Sequence, residues 1–293
     1  CSRDWSSDVC TSDLVRDYSR LVRAMEDVDM VFHTAALKHV PVIEYNPFEA
    51  IKTNVIGTQN VIEACLHENV EIAVGVGTDK AVSPLNTYGA TKLLMEKLFV
   101  TADNYLNLEK HRTKFIALRY GNVLGSSGSV VPRFIQQIKN KEKITLTDPK
   151  MTRFSITMDE ALDFILESTK LSTGSEIFVP KLRAYSIIDL KNALFEILGK
   201  TEEEYIGIRP GEKLHEVWIN SDEMRHTYDI GNKLMIVNPF NFKKIKKNHA
   251  RRMKNVKTDL PYSSNSVEKI PVKELKKIII NSCLIPKSYD YEH

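Results

Sequence analysis

Apolar residues along this chain alternate between short continuous runs and stretches with a helical period. The continuous runs predict buried strands at residues 30–36, 72–76, 115–118 and 177–179. The periodic stretches predict helices at residues 47–68, 88–105, 132–140, 159–171 and 186–198. Because strand and helix alternate, we expect an α/β fold, a Rossmann-like doubly wound parallel sheet covered on both faces.

The first fourteen residues show neither a helical nor a strand period, and they resemble a translated sequencing adapter. We expect them to be an artefact and leave them out of the fold. Regular patterning begins near Val15, with a short amphipathic helix ahead of the first strand. A dinucleotide-binding fold opens with a strand and a glycine-rich turn, and neither precedes that strand. The expectation is therefore that the N-terminal strands of the fold are missing.

The pattern becomes shorter and more mixed after Pro180, which suggests a change of domain. We expect residues 15–180 to form the remainder of an NAD(P)-binding Rossmann-like domain, with residues 123–150 contributing to the substrate site. Residues 181–293 are expected to form a small substrate-binding region and a C-terminal tail.

Composition is that of an ordinary globular protein, with 42% hydrophobic and 27% charged residues. The net charge is only +3, so no nucleic-acid partner is expected; the basic stretch at 243–257 is read as a solvated segment, with an interaction patch as the alternative. No apolar run is long enough to span a bilayer, and the four cysteines show neither metal spacing nor a secreted framework. The expectation is a cytoplasmic protein without a membrane segment. His33 and His39 lack further ligands, so both are read as structural and no metal site is predicted.

Tyr88 and Lys92 form a Tyr-x-x-x-Lys pair that lies on one face of a predicted helix. A lysine cation beside a phenol should lower the phenol pKa, giving a base that strips a hydroxyl proton while a nicotinamide takes the hydride. Ten residues upstream, Thr78, Asp79 and Lys80 follow a buried strand, at the end where open α/β sheets bind ligands. These residues add a candidate acid and a candidate base, which a simple dehydrogenase does not need.

Several ordered motifs together resemble the 5-inverting UDP-N-acetylglucosamine 4,6-dehydratases of the extended short-chain dehydrogenase/reductase superfamily. The motifs are Val31-Phe-His-Thr-Ala-Ala-Leu-Lys38-His-Val-Pro, Thr53-Asn54-Val-Ile-Gly-Thr, Thr78-Asp-Lys-Ala-Val, Tyr88-Gly-Ala-Thr-Lys92, Arg119-Tyr-Gly-Asn122-Val, Gly128-Ser-Val-Val-Pro132, Met151-Thr-Arg153-Phe and Gly207-Ile-Arg209-Pro-Gly-Glu212-Lys-Leu-His-Glu. The resemblance covers about Val15 to Pro239 and implies a hydro-lyase that opens pseudaminic acid synthesis, a route to flagellin glycosylation and polysaccharide biosynthesis.

Catalytic roles follow from the resemblance at the matching positions. It implies that Tyr88 is the base at sugar carbon 4, assisted by Thr78, and that Lys92 holds the nicotinamide ribose. Lys80 would remove the proton on carbon 5, and Asp79 would protonate the departing hydroxyl on carbon 6. The stored hydride then returns to carbon 6, so water is lost without net redox change.

Binding roles are implied in the same way. The cofactor, NADP with NAD as the alternative, would contact Ala35, Lys38, Asn54 and Val123 besides Tyr88 and Lys92. The UDP-sugar would contact Lys38, Asn122, Arg153, Arg209 and Glu212, with guanidinium groups suited to the pyrophosphate. The resemblance also implies a homo-oligomer. One departure is Gly77, which stands where the family usually has serine.

Two other interpretations remain open from the residues alone. A nucleotide-sugar 4-epimerase or reductase would use Thr78, Tyr88 and Lys92 without Asp79 and Lys80. A non-catalytic fragment is the second alternative, because the glycine-rich turn that holds the cofactor phosphates is absent from the sequence. The sequence does not decide between NAD and NADP, the oligomeric state or the downstream glycan.

Overall fold

The computed structural model describes residues 14–105, 111–126, 128–209, 211–282 and 284–285. The expectation for residues 1–13 lies outside the described residues. The chain divides into two compact units that are interleaved along the sequence. Unit 1 comprises residues 1–120, 165–180 and 218–261, and unit 2 comprises residues 121–164, 181–217 and 262–293.

Unit 1 contains a seven-stranded sheet in the order β1-β2-β3-β6-β11-β10-β12. Its strands are β1 (Met30–His33), β2 (Ile72–Gly77), β3 (Lys114–Arg119), β6 (Glu176–Pro180), β10 (Thr227–Asp229), β11 (Lys233–Val237) and β12 (Lys254–Asn255). The first four strands are parallel, and β11, β10 and β12 extend the sheet in antiparallel pairings. Gly77 pairs with Arg119, so β2 and β3 end level with each other. Residues that follow these strands therefore emerge at one edge of the sheet.

The helices of unit 1 bury one face each, as their apolar periods require. They are α1 (Tyr18–Ala24), α2 (Val40–Tyr45), α3 (Pro47–Ala50), α4 (Gly57–His67), α5 (Thr87–Thr101), α9 (Ser221–Met224) and α10 (Phe242–His249). A π-helical turn at Ile51–Ile56 joins α3 to α4, and short 3-10 turns lie at Asp79–Ala81, Ala102–Tyr105 and Pro239–Asn241. The core between helices and sheet includes Leu21, Val61, Phe99 and Phe115.

Unit 2 is built around a separate apolar core. Its elements are α6 (Val130–Lys139), β4 (Ile144–Leu146), β5 (Thr152–Phe154), β7 (Ala184–Ser186), α8 (Ile187–Leu198), β8 (Glu203–Tyr205), β13 (Tyr262–Ser263) and α11 (Val272–Asn281). Two elements, α7 (Met158–Leu171) and β9 (Val217–Ile219), contain boundaries between the units. Phe134, Leu190, Leu194 and Leu275 pack in this core, while β4 pairs with β8 and β5 with β7.

The predicted α/β fold is confirmed as a Rossmann-like sheet with mainly parallel strands at its centre. The division into domains differs from the one expected at residue 180. Residues 218–261 belong with the sheet, because β11 pairs with β6 and carries β10 and β12 beyond it. Residues 121–164 belong with unit 2; that residues 123–150 contribute to a substrate site stays a prediction.

Candidate active site

A short turn at the carboxyl end of β2 carries three of the predicted catalytic residues. Thr78 is extended and caps the 3-10 turn, with its Oγ1 accepting from Lys80 N at 3.5 Å. The same hydroxyl donates to Asp79 Oδ1 at 2.8 Å, and Lys80 Nζ donates to that oxygen at 3.2 Å. Asp79 is 3% exposed. The turn therefore holds a buried carboxylate between a hydroxyl and an ammonium group.

Helix α5 begins against this turn and brings Tyr88 to it. Asn86 caps the helix, its Oδ1 accepting from Gly89 N at 2.8 Å. A Cβ atom at position 89 would lie 2.3 Å from Lys80 O, so only glycine permits this approach. Tyr88 consequently lies within reach of the charges of both Lys80 and Asp79. The structure thus brings Tyr88 together with the Asp79–Lys80 pair, as the sequence predicted.

The electrostatics of Tyr88 differ from the expectation. Burial raises the pKa of the phenol above its usual value; Lys80 opposes that shift, and Asp79 adds to it. Lys92, expected to lower this pKa, instead directs its ammonium to Val76 O at 2.8 Å. The cation that acts on the phenol is therefore Lys80, and the predicted direction of the shift is wrong because desolvation outweighs it.

Lys92 is 4% exposed and has one hydrogen-bond acceptor, Val76 O, among the described residues. Burial lowers its pKa to about 8, and the charge of Glu96 opposes that shift. An ammonium group has three N–H donors, so two remain for a ligand. A buried cation with spare donors suits the vicinal hydroxyls of a nicotinamide ribose. The donor set thus fits the cofactor role that the resemblance implies.

Sequence reasoning assigned no role to a buried ionic network next to Lys92. Arg119, fully buried at the end of β3, donates through Nε and Nη2 to Glu96 at 2.6 Å each. It also donates to Glu223 at 2.9 and 2.6 Å and to Trp218 O. Burial disfavours this guanidinium, yet the two carboxylates outweigh it and raise its pKa. The sequence feature that indicated a charged network here was the i, i+4 spacing of Lys92 and Glu96, which places both side chains on one face of a helix.

The predicted cofactor residues of unit 1 lie in and around the loop after β1. Ala35 is half-buried and Lys38 is exposed in this loop. Asn54, in the π-helical turn, is 1% exposed; its Oδ1 accepts from Leu37 N at 2.8 Å and its Nδ2 donates to Leu37 O and Thr91 Oγ1. Asn54 therefore anchors the loop to α5. It positions the loop through its amide, whose hydrogen bonds are made within the protein.

Two smaller expectations are resolved in unit 1. His33 is structural, as predicted: it is 4% exposed, bonds Thr58 Oγ1 at 2.9 Å and stacks on Phe99. Burial lowers its pKa to about 3. Gly77 has a packing reason, because a Cβ atom there would lie 2.6 Å from Leu118 O. Serine at this position would require the backbone of β2 or β3 to shift.

The predicted substrate residues Asn122, Arg153, Arg209 and Glu212 all lie in unit 2, as does Val123, whose backbone bridges to Ile156. Arg153 is 9% exposed and lies 3.3 Å from Glu212 and 3.6 Å from Glu216. Glu216, to which no role was assigned, accepts from Asn122 Nδ2 at 2.9 Å and from Phe154 N at 2.8 Å. Arg153 is therefore held inside unit 2 by two carboxylates, those of Glu212 and Glu216.

A second arginine was missed beside Arg209. Arg133, in the first turn of α6, is exposed like Arg209. Partial burial and the charge of Arg209 lower the pKa of its guanidinium, and Glu212 opposes this. Neither arginine forms an ion pair among the described residues, and Glu212 Oε2 is buried there without a hydrogen-bond partner. These unsatisfied groups suit a ligand that carries both anionic oxygens and N–H or O–H donors.

A family model for polysaccharide biosynthesis proteins matches residues 7–238. The chain belongs to this family. Within it, the chain is 49% identical over 219 residues to the UDP-N-acetylglucosamine 4,6-dehydratase (inverting) of Campylobacter jejuni subsp. jejuni serotype O:2. That match covers 74% of this chain and 64% of the dehydratase, so the chain spans less than two thirds of that relative.

Two further comparisons cover more of this family member. The UDP-glucose 4-epimerase of Rickettsia bellii is 38% identical over 91% of this chain and 78% of its own length. The crystal structure of Pen from Bacillus thuringiensis superposes with a TM-score of 0.81 at 38% identity, over 92% of this chain and 80% of Pen. The suspected place in the extended short-chain dehydrogenase/reductase superfamily is thereby confirmed.

Proposed function

We propose that this chain catalyses the 4,6-dehydration of UDP-N-acetylglucosamine with inversion at carbon 5. The observation that carries the proposal is the contact between Asp79 Oδ1 and Lys80 Nζ at 3.2 Å, beside Tyr88. An oxidation at the sugar has no need of the Asp79–Lys80 pair, whereas an elimination also needs an acid and a second base. The similarity to the Campylobacter jejuni dehydratase supports the same reaction.

The first step is oxidation at sugar carbon 4. The Tyr88 phenolate takes the hydroxyl proton, and the nearby Lys80 cation favours that phenolate. When bound, a nicotinamide dinucleotide would accept the hydride from carbon 4 and later deliver it to carbon 6. Lys92, whose ammonium is fixed by Val76 O, would hold its ribose through the two remaining N–H groups.

The second step is elimination of water across carbons 5 and 6. Moving one proton from Lys80 to Asp79 converts a charged pair into an amine and a carboxylic acid, which the hydrogen bond between them permits. The amine then takes the proton that the new ketone acidifies on carbon 5. The acid donates its proton to the carbon 6 hydroxyl, which leaves as water and restores the charged pair. Inversion requires that carbon 5 receives its new proton on the opposite face; the Tyr88 phenol, protonated in the first step, would supply that proton and so return to the phenolate.

The test is incubation of the chain with UDP-N-acetylglucosamine and a nicotinamide dinucleotide in heavy water. We expect a product lighter by one water that carries deuterium at carbon 5. Lys80→Met should slow elimination by about a hundredfold or more, because a general base contributes at least that much. Lys80→Arg is the matched control for charge. A product of unchanged mass would reject dehydration.

A second candidate is a nucleotide-sugar 4-epimerase, as the 38% identical Rickettsia bellii relative suggests. That reaction would use Thr78, Tyr88 and Lys92 and would leave the Asp79–Lys80 pair idle. The two candidates separate on Asp79→Asn, which should abolish dehydration but leave epimerisation within a few-fold. Failure to bind a nicotinamide dinucleotide would favour the remaining interpretation, that the chain is a non-catalytic fragment.

The resemblance extends to the cofactor, the pathway and the assembly. We propose NADP as the cofactor, a product that enters pseudaminic acid synthesis for flagellin glycosylation, and a cytoplasmic location. Titration with NADPH and NADH, followed by nicotinamide fluorescence, tests the first of these. NADPH should bind at least about tenfold more tightly, a difference of about 1.4 kcal/mol.

A homo-oligomer is supported by apolar side chains that α2, α3 and α5 leave exposed. Val42, Tyr45, Phe48 and Leu94 are 67%, 93%, 71% and 49% exposed, respectively. The three helices contact one another, and apolar side chains left exposed on adjoining helices are typical of an interface. Replacing Tyr45 and Phe48 by lysine should yield monomers in sedimentation experiments. The control variant Lys97→Gln with Lys170→Gln, also at exposed positions, should keep the oligomer.

A further inference from the structure

The segment 243–257, named here the basic face, is the most strongly charged part of the chain. It holds eight lysine and arginine residues and no aspartate or glutamate. The whole chain has 41 basic and 38 acidic residues, so everything outside the basic face is net negative. The net positive charge of the chain therefore comes from this one short segment.

The structure turns these cations outward. Ile245 and His249 are buried one helical turn apart on α10, and they fix that face of the helix against unit 1. Lys243, Lys246 and Lys247 consequently lie on the exposed side. Beyond the helix, the chain keeps four more cations exposed up to the edge strand β12 and past it. They are Arg251, Arg252, Lys254 and Lys257.

Seven of the eight cations form no ion pair among the described residues. The exception is Lys244, whose Nζ bonds Asp103 Oδ2 at 2.9 Å. The nearest acid across the sheet is Asp229, which stands opposite Lys254 in the β10–β12 pairing. Elsewhere in unit 1, cations such as Arg16, Arg119 and Lys233 each contact a carboxylate. Most cations of the basic face thus have no carboxylate partner in the part of the chain that the structure describes.

Apolar side chains project at both ends of the basic face. Phe240, just before α10, is 89% exposed, and Leu260, just after the last lysine, is 73% exposed. Clustered cations attract an anionic lipid surface, and flanking aromatic and aliphatic side chains insert at its interface. We propose that the basic face docks this protein reversibly on an anionic membrane surface.

Lipid fits the basic face better than nucleic acid does. Six of the eight cations are lysines, compact point charges that suit a diffuse anionic surface, whereas arginine predominates where phosphates are gripped by two hydrogen bonds at once. An exposed leucine such as Leu260 also gains from insertion into an apolar membrane interior and contributes nothing to binding a phosphate backbone. Nucleic acid is therefore the alternative that the experiment must separate.

The experiment is sedimentation of the whole chain with sucrose-loaded vesicles. Vesicles of phosphatidylcholine mixed with phosphatidylglycerol should bind the protein, and pure phosphatidylcholine vesicles should not. Raising the salt from about 0.1 M to about 1 M shortens the Debye length from about 10 Å to about 3 Å and should release the protein. Phe240→Ser should weaken binding about fivefold to tenfold, because it removes the aromatic ring that would insert into the membrane interface.

A matched pair of quadruple variants separates the basic face from overall charge. The test variant replaces Lys243, Lys247, Arg251 and Arg252 by glutamine, and the control replaces the exposed lysines at 141, 150, 170 and 200 in the same way. The test variant should lose about a hundredfold or more in vesicle affinity, whereas the control should change by less than about threefold. All eight positions are exposed, so both variants should fold.

Three outcomes would overturn the proposal. They are absence of binding to anionic vesicles at low salt, equal loss in the two quadruple variants, and tighter binding to a single-stranded RNA than to vesicles under the same conditions. The last result would assign the basic face to nucleic acid. None of these measurements depends on the proposed dehydratase activity.

Discussion

Two sets of charged groups, one in each unit, differ in burial and in pairing. In unit 1, Lys92, Glu96 and Arg119 are all buried, and the last two are locked in a bidentate pair. In unit 2, Arg133 and Arg209 are exposed, and one carboxylate oxygen of Glu212 has no hydrogen-bond partner among the residues that the structure describes. Groups that are buried and paired are held in place before a ligand arrives, whereas exposed groups that bind an anion complete their contacts with it. The contrast supports chemistry in unit 1 and recognition in unit 2.

The largest expected difference between the two units is a loss of stability, and Glu96 tests it. Glu96→Gln leaves Arg119 with Glu223 as its remaining carboxylate partner and removes two charge-assisted hydrogen bonds, so the free energy of unfolding should fall by about 1.5–3 kcal/mol. The matched change in unit 2, Glu212→Gln, removes a partly exposed partner of Arg153 and should cost less than about 1 kcal/mol. Urea denaturation of both variants provides the measurement. Similar losses would show that the units do not differ.

Lys92 sharpens the comparison because its burial should oppose stability. Its folded pKa is lowered from 10.5 to about 8, so a charged Lys92 is unfavourable in the folded state at pH 7. Lys92→Met should therefore raise the free energy of unfolding by about 2 kcal/mol at pH 7 while abolishing oxidation at carbon 4. Lys97→Met, on the exposed side of α5, should change stability by less than about 0.5 kcal/mol.

The pH dependence of the same variant gives an independent check. Between pH 8 and 10.5 only the unfolded chain binds the Lys92 proton, so wild-type stability should rise with pH across that window. Lys92→Met lacks this rise, and its advantage should shrink above pH 8. An advantage that stays constant up to pH 10.5 would mean that Lys92 is not buried as a cation.

His33, which is buried in unit 1, gives a test of the pH dependence of stability at acid pH. Because its folded pKa is about 3 against an ordinary 6.5, the unfolded chain alone binds this proton between those values. Wild-type stability should fall as pH drops below 6.5, by about 1.4 kcal/mol per pH unit from this group. His33→Gln should remove that slope, and His39→Gln, at an exposed position, should retain it. Thermal unfolding from pH 7 to pH 5 measures the difference.

The parts of the fold that follow from local pattern were predictable. The runs at 72–76 and 115–118 are buried on both faces, and such strands are visible in a sequence as continuous apolar runs. The extension of the sheet by β10, β11 and β12 was not, because strands of two to five residues after residue 218 carry little periodicity. Their place depends on the pairing of β11 with β6, a contact distant in sequence.

In the candidate site, too, contacts between residues close in sequence were predictable, and contacts between residues distant in sequence were not. Tyr88, Asp79 and Lys80 were found because local spacing along one helix and one strand end brings them together. The partnership of Arg119 with Glu96 and Glu223 was not found, since it joins residues 23 and 104 positions apart. The raised pKa of Tyr88 was also missed, because burial is a property of the folded chain.

The smallest predicted effect concerns the recognition side of the comparison. Arg133 and Arg209 repel each other in the absence of an anion, so a diphosphate should relieve that repulsion and bind through both. Arg133→Gln and Arg209→Gln should each weaken UDP about fivefold, close to 1 kcal/mol, in titration calorimetry at low salt. Stability should change by less than about 0.5 kcal/mol in either, since both side chains are exposed. Lys150→Gln is the control, and unchanged UDP affinity in both arginine variants would show that neither side chain binds the diphosphate.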